Sequence, residues 1–216
     1  MRSKRVVPSL FVVCLTAVLA GVAVLVCPVA HARMTLDAGA VASLNAGEAI
    51  VRISADETGE ADGHIEAAID IAATPEKVFA AMVDCARALK FVAELTECKI
   101  LESSADGRSD VREHHSRWLS ILPEMVSVFR SDYVPNREIR FARVRGDLAF
   151  LKGSWQLEPL RGGTVTRVLY DARVGISMPL PGFMIRGALE ADVPKLLKAL
   201  RTEVVSGAGH APAKGR

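Results

Sequence analysis

Aromatic residues are scarce in this chain: two tryptophans, two tyrosines and seven phenylalanines among 216 residues. Binding of single-stranded nucleic acid relies on aromatic platforms interleaved with basic residues, and no stretch shows that pattern. Familiar catalytic and cofactor motifs are missing too. The chain has no GxSxG elbow, no HExxH helix, no P-loop and no GxGxxG turn. Hydrolases, zinc proteases, nucleotide-binding enzymes and dehydrogenases of standard type are thereby disfavoured. The four cysteines form no CxxC pair, so neither a metal site nor dithiol redox chemistry is expected. Proline (10) and glycine (16) are too few for a collagen-like chain, and half the residues are hydrophobic, which excludes a disordered one.

A charge excess of one sign is also absent once the N-terminus is set apart. Arg2, Lys4 and Arg5 precede an uncharged apolar run from Val6 to Val29, and Ala30-His31-Ala32 follows. A basic start, an apolar run and an A-x-A step make up a secretory signal, with cleavage expected after Ala32 and a periplasmic destination. The alternative is an uncleaved membrane anchor, since the run is long enough to span a bilayer. Cys27 lacks the small residue that a lipoprotein signal places before its cysteine. Of 27 basic and 25 acidic residues, removal of 1–32 leaves 24 and 25. A global attraction to nucleic acid is therefore not expected. Cys85 and Cys98 remain as an even pair in an exported protein, where a disulfide is expected; two buried free thiols are the other reading.

The rest of the chain divides into an extension (33–63), a folded domain (64–206) and a small polar tail (207–216). The extension holds a short strand near Glu48–Ile53 and an acidic, turn-rich linker at Asp56–Gly63. Ile65, Ala67, Ile69 and Ile71 alternate as in a strand. Thr74-Pro75 then opens a helix with an N-cap threonine and a first-turn proline. A second short helix is read over 86–93. Strands follow at 97–103, 110–119, 124–134, 138–145, 149–160 and 164–176. The turns between them are of hairpin length, so the sheet is antiparallel. A long helix over about 181–205 closes the domain, with Pro194 expected to kink or divide it. Strands in one run with helices set apart make an α+β fold.

The stretches IDIAATPEKVFAAMVDCARALKF (69–91), GSWQLEPL (153–160), TVTRVLYDARVG (164–175) and PLPGFMIRGALEADVPKLLKALR (179–201), in that order, resemble the START-like superfamily. This superfamily is also called Bet v 1-like, SRPBCC or polyketide cyclase/dehydrase, and the resemblance is closest to its coenzyme Q-binding branch. It implies a helix-grip fold: a curved antiparallel sheet wrapped around a long C-terminal helix, with a tunnel between them for a lipid, quinone or other hydrophobic molecule. No resident cofactor is implied beyond such a ligand. On that architecture the tunnel is expected to be lined by Phe129, Phe141, Leu151, Trp155, Leu157, Tyr170, Phe183, Leu189, Val193 and Leu197.

Several groups carry more than one reading. Trp155 either lines the cavity, offering its indole N–H, or is plain core. His114 and His115 are adjacent on a strand and face opposite sides. If His115 faces inward, Glu113, His115 and Arg117, with Tyr170, could serve a cyclase or aromatase; otherwise they form a solvated strand face. Arg137, Arg140, Arg143 and Arg145 either steer the domain to an anionic membrane surface or guard a sheet edge. The joint from Met178 to Ile185 is either a cavity entrance, a membrane contact or a buried corner. A third functional reading is an envelope scaffold using the acidic segment 37–70.

Overall fold

Hairpin turns and one amphipathic helix dictate the architecture. A computed structural model describes residues 34–117, 124–178 and 180–207, all within one unit. The expected export signal, residues 118–123 and the tail beyond 207 lie outside the described residues. In chain order the elements are α1 (Ala38–Asn45), β1 (Ile50–Ser54), β2 (Gly63–Ile71), α2 (Pro75–Val83) and α3 (Cys85–Phe91). Next come β3 (Leu95–Ser103), β4 (Ser109–Ser116), β5 (Met125–Val134), β6 (Glu138–Gly146), β7 (Leu148–Leu160), β8 (Val165–Ile176) and α4 (Gly182–Ser206). The sheet runs β1-β2-β8-β7-β6-β5-β4-β3 and every pairing is antiparallel. This is the α+β fold that the order of elements implies, in the helix-grip form that the resemblance implies.

Strand alternation sets which residues face α4. In β2, Ile65, Ala67, Ile69 and Ile71 are buried and His64, Glu66 and Asp70 are partly exposed. In α4, Ile185, Leu189, Val193, Leu197, Leu200 and Val204 are all buried. Their spacing of four, four, four, three and four residues keeps one stripe on the sheet. Pro194 does not divide this helix, which runs unbroken through it. A proline removes one N–H and thus one backbone bond, and the packing of Val193 and Leu197 on either side holds the chain helical there.

Short-range chemistry places α2 and α3. Pro75 occupies the first turn of α2, but Thr74 does not cap it through its side chain. The Thr74 hydroxyl instead holds the Glu76 carboxyl below its usual range. Asp84 ends α2 and caps α3, accepting from the Ala86 and Arg87 amides at 2.8 and 3.2 Å. Cys85 and Cys98 are joined in a disulfide with Cα atoms 5.4 Å apart, which ties α3 to β3. On the other side, Arg87 Nε meets Glu203 Oε1 at 2.9 Å and ties α3 to α4.

Two features were not legible in the sequence. The extension carries α1, whose Leu44 packs with Ala68 and Leu169 on the outer face of β2 and β8. And β6 lies between β5 and β7; its pairing with β7 runs from Glu138 to Ala142, so Arg140 does not guard an edge, while Arg143 and Arg145 lie beyond that paired stretch. They are exposed; Arg140 lies 3.4 Å from Glu138 and Arg145 3.4 Å from Glu113.

Candidate functional site

The inward faces of β4 to β8 each contribute one ring to a continuous row. Trp155 on β7 pairs directly with Tyr170 on β8, and their rings stack with centroids 3.8 Å apart. Phe141 on β6 continues the row 6.3 Å from Tyr170, Phe129 on β5 lies 6.4 Å further, and His114 on β4 meets Phe129 edge-on at 4.8 Å. Phe141 finds room because its partner in the register is Gly153. A Cβ there would fall 2.7 Å from the Phe141 ring and 2.3 Å from the Asp171 carbonyl. A good share of the chain's few aromatics is thus gathered on one surface.

Above this row, between the sheet and α4, lies a cavity of about 280 Å³. Ile65, Met125, Leu148, Leu151, Val174 and Ile176 complete the sheet side, and Leu189, Val193 and Leu196 project from α4. The segment after α3, Val92 to Leu95, closes a third side. Polar groups are few: His114, Ser116, Ser127, Glu94 and Asp192.

The structure brings together Phe129, Phe141, Leu151, Trp155, Tyr170, Leu189 and Val193 in this lining. Three expected members do not join it. Leu157 and Leu197 are buried in solid core at 4% and 0% exposure, deeper along the same strand and helix. Phe183 is 68% exposed; it sits in the first turn of α4, one residue off the buried stripe. With Leu180 and Met184 also exposed, this joint is not a buried corner.

The two histidines separate cleanly. Asp110, Arg112, His114 and Ser116 share the inner side of β4, so Glu113, His115 and Arg117 do not line the cavity. His115 lies instead between Glu113 (Nε2–Oε1 2.9 Å) and Glu124 (Nδ1–Oε2 3.3 Å), and Arg117 is exposed. Hydrogen bonds first to Glu113 and then to Glu124 raise the His115 pKa. An acid–base set built on these three residues therefore has no access to the cavity. Tyr170 does line it, with its hydroxyl pKa raised chiefly by burial.

His114 behaves in the opposite way. Burial, reinforced by the Arg112 charge, lowers its pKa to about 4. Its Nε2 is buried without a hydrogen-bond partner. Between about pH 6.5 and 4 the unfolded chain binds a proton here that the folded protein refuses. Stability therefore falls as the pH drops through that window, by about 3 kcal/mol in total. Between pH 7 and 4 the unfolding free energy of the protein should fall by that amount relative to that of His114→Leu. A difference that stays flat with pH would contradict a neutral His114. His115 acts with the reverse sign, contributing stability at low pH that is lost as the pH rises through its raised value.

Comparison with known proteins places this geometry. A family model described as polyketide cyclase / dehydrase and lipid transport matches residues 71–201. No curated protein matches the sequence. Among solved structures, a START superfamily protein from Mycobacterium smegmatis is 21% identical with a TM-score of 0.59, covering 66% of this chain and 97% of its own. A STAR-related lipid transfer protein from Xanthomonas axonopodis is 14% identical with a TM-score of 0.61, covering 73% and 93%. The Zhui aromatase/cyclase from Streptomyces sp. R1128 is 18% identical with a TM-score of 0.55, covering 68% and 93%. At such identities the likeness is one of fold. The family match spans more than half of the chain, and the protein belongs to the polyketide cyclase/dehydrase and lipid transport family.

Proposed function

We propose that this protein binds a hydrophobic small molecule, a lipid or an isoprenoid quinone, in the cavity between the sheet and α4, and does so outside the cytoplasm without transforming it. The observation that carries this reading is the cavity itself: about 280 Å³, floored by an aromatic row and walled by aliphatic side chains. Its size is near the lower end of small-molecule sites, about 300–1,000 Å³. Burial of apolar ligand surface there contributes about 25 cal/mol per Å². The likeness in fold to a lipid transfer protein is in keeping with this. A cyclase acting through Glu113, His115 and Arg117 is disfavoured, because those side chains lie on the opposite face of β4.

Native mass spectrometry of the gently purified protein, before and after exposure to lipid and quinone extracts, tests the reading. The expected result is one apolar molecule per chain, recovered chemically unchanged. A cavity that stays empty overturns the binding function, and a recovered molecule of altered mass overturns its passive character. Export belongs to the same proposal and is checked by N-terminal sequencing, which should begin at Arg33.

A further inference from the structure

The chain has only two tyrosines, and the structure uses them in opposite ways. Tyr133 on β5 is fully engaged: its hydroxyl accepts from Arg112 Nη2 at 2.6 Å and donates to Asp110 Oδ2. Tyr170 on β8 stands in the aromatic row, and its hydroxyl has no hydrogen-bond partner among the described residues. Burial is the main influence on that hydroxyl, with the Asp171 charge second, and both raise its pKa. At neutral pH it therefore keeps its proton and has one hydrogen bond to donate.

That hydroxyl is also within reach. Two side-chain polar atoms among the described residues are occluded and unpartnered, His114 Nε2 and Gln156 Oε1. The Tyr170 hydroxyl is not one of them, although it too is unpartnered and its residue is partly buried. It therefore keeps accessible surface, and since Tyr170 borders the cavity, that surface opens into it. The ring is held in place before any ligand arrives: Trp155 stacks on it at 3.8 Å and 14°, and Phe141 lies 6.3 Å away. A donor fixed in advance costs little ordering when a partner binds. Ile65, Leu151, Val174, Leu189 and Val193 border the same cavity and have no side-chain acceptor to offer. A hydrocarbon filling this space would cover the hydroxyl and strand its proton, the unfavourable case for a buried polar group. A ligand carrying an acceptor oxygen would satisfy it.

We infer that Tyr170 sets the ligand class: an apolar molecule that carries a carbonyl oxygen, held by a hydrogen bond donated from the Tyr170 hydroxyl. This rests on the binding function proposed above and narrows its ligand.

Calorimetric titration with octan-2-one and with 2-methyloct-1-ene, which has a methylene where the ketone has its oxygen, separates the two. Both probes are measured on the protein and on Tyr170→Phe, which removes the hydroxyl and keeps the ring. The ratio of the two affinities within each protein absorbs any general change in apolar binding. Comparing that ratio between the proteins cancels the different costs of taking the probes out of water. In Tyr170→Phe the ratio should shift against the ketone by about tenfold, the worth of one hydrogen bond. An unchanged ratio overturns the inference but leaves the hydrophobic site standing. The infrared carbonyl band of the bound ketone gives a second reading. On the unaltered protein it should lie below its position in hexane, as a hydrogen-bonded carbonyl does, and in Tyr170→Phe it should move back toward that position. A band at the hexane position on the unaltered protein overturns the inference even if Tyr170→Phe does not fold, and so does a low band that Tyr170→Phe leaves in place. Failure of both probes to bind overturns the binding function and this inference together.

Discussion

Asp110→Ala lowers the unfolding free energy by about 3–5 kcal/mol, measured by equilibrium denaturation at neutral pH. Asp110 and Arg112 are 8% and 4% exposed and face the interior from β4. Removing the carboxylate leaves the guanidinium buried with only the Tyr133 hydroxyl and the Val83 carbonyl for company. Burial is the largest single influence and lowers the Arg112 pKa, yet the hydrogen bonds and charge interactions with Asp110 and Tyr133 together outweigh it and the value is raised. The pair is thus costly to break, though not necessarily costly to replace. An Asp110→Val, Arg112→Met double variant should lose clearly less than the sum of the two single changes, because neither charge is then stranded. Additive losses would mean that the two residues act independently.

Leu197→Ala should cost about 2–5 kcal/mol. This residue is fully buried at the centre of the α4 stripe, where the helix meets the sheet in solid core. Truncation there opens a void in a region that has none to spare, and the loss grows with how little the surroundings relax. Leu196 provides the control. It borders the existing cavity and is only partly buried, so Leu196→Ala should cost less stability and act mainly on ligand affinity. If the two changes proved equally destabilising, the division of α4 into a packed stripe and a cavity-facing flank would be wrong.

Much of the fold was legible because its elements announce themselves locally. Alternation of isoleucine and alanine in β2, a proline at the start of α2, hairpin turns after residue 103 and a four-and-three spacing in α4 each act over a few residues. Their order implies an α+β fold, and the family resemblance implies a sheet gripping a helix. The short α1 was missed because Ala38-Gly39-Ala40-Val41-Ala42 has no amphipathic contrast; contact with the outer face of β2 and β8 holds it in place. In β4 the usual rule fails in an instructive way. Asp110, Arg112, His114 and Ser116 are its inward residues, so neither face reads as apolar. The burial of charge there is balanced by the Asp110–Arg112 pairing, which local pattern does not reveal.

The cavity shows the same division. Rings from β5 to β8 were sensible cavity candidates, since each falls on the inward phase of its strand. Whether such a residue borders empty space or solid core depends on how far along the strand α4 makes contact, and Leu157 and Leu197 lie on the packed side of that line. The sequence by itself determined the inventory: few aromatics, no catalytic motif, a near-neutral domain, strands in one run and one long amphipathic helix. Only the tertiary structure decided that four of those aromatics converge in one row across β5 to β8, and that His114 rather than His115 joins them from β4. The reason is physical: strand alternation is local, but which side is inside is set by a helix some seventy residues away in the chain, and by the partner that lets a charge be buried.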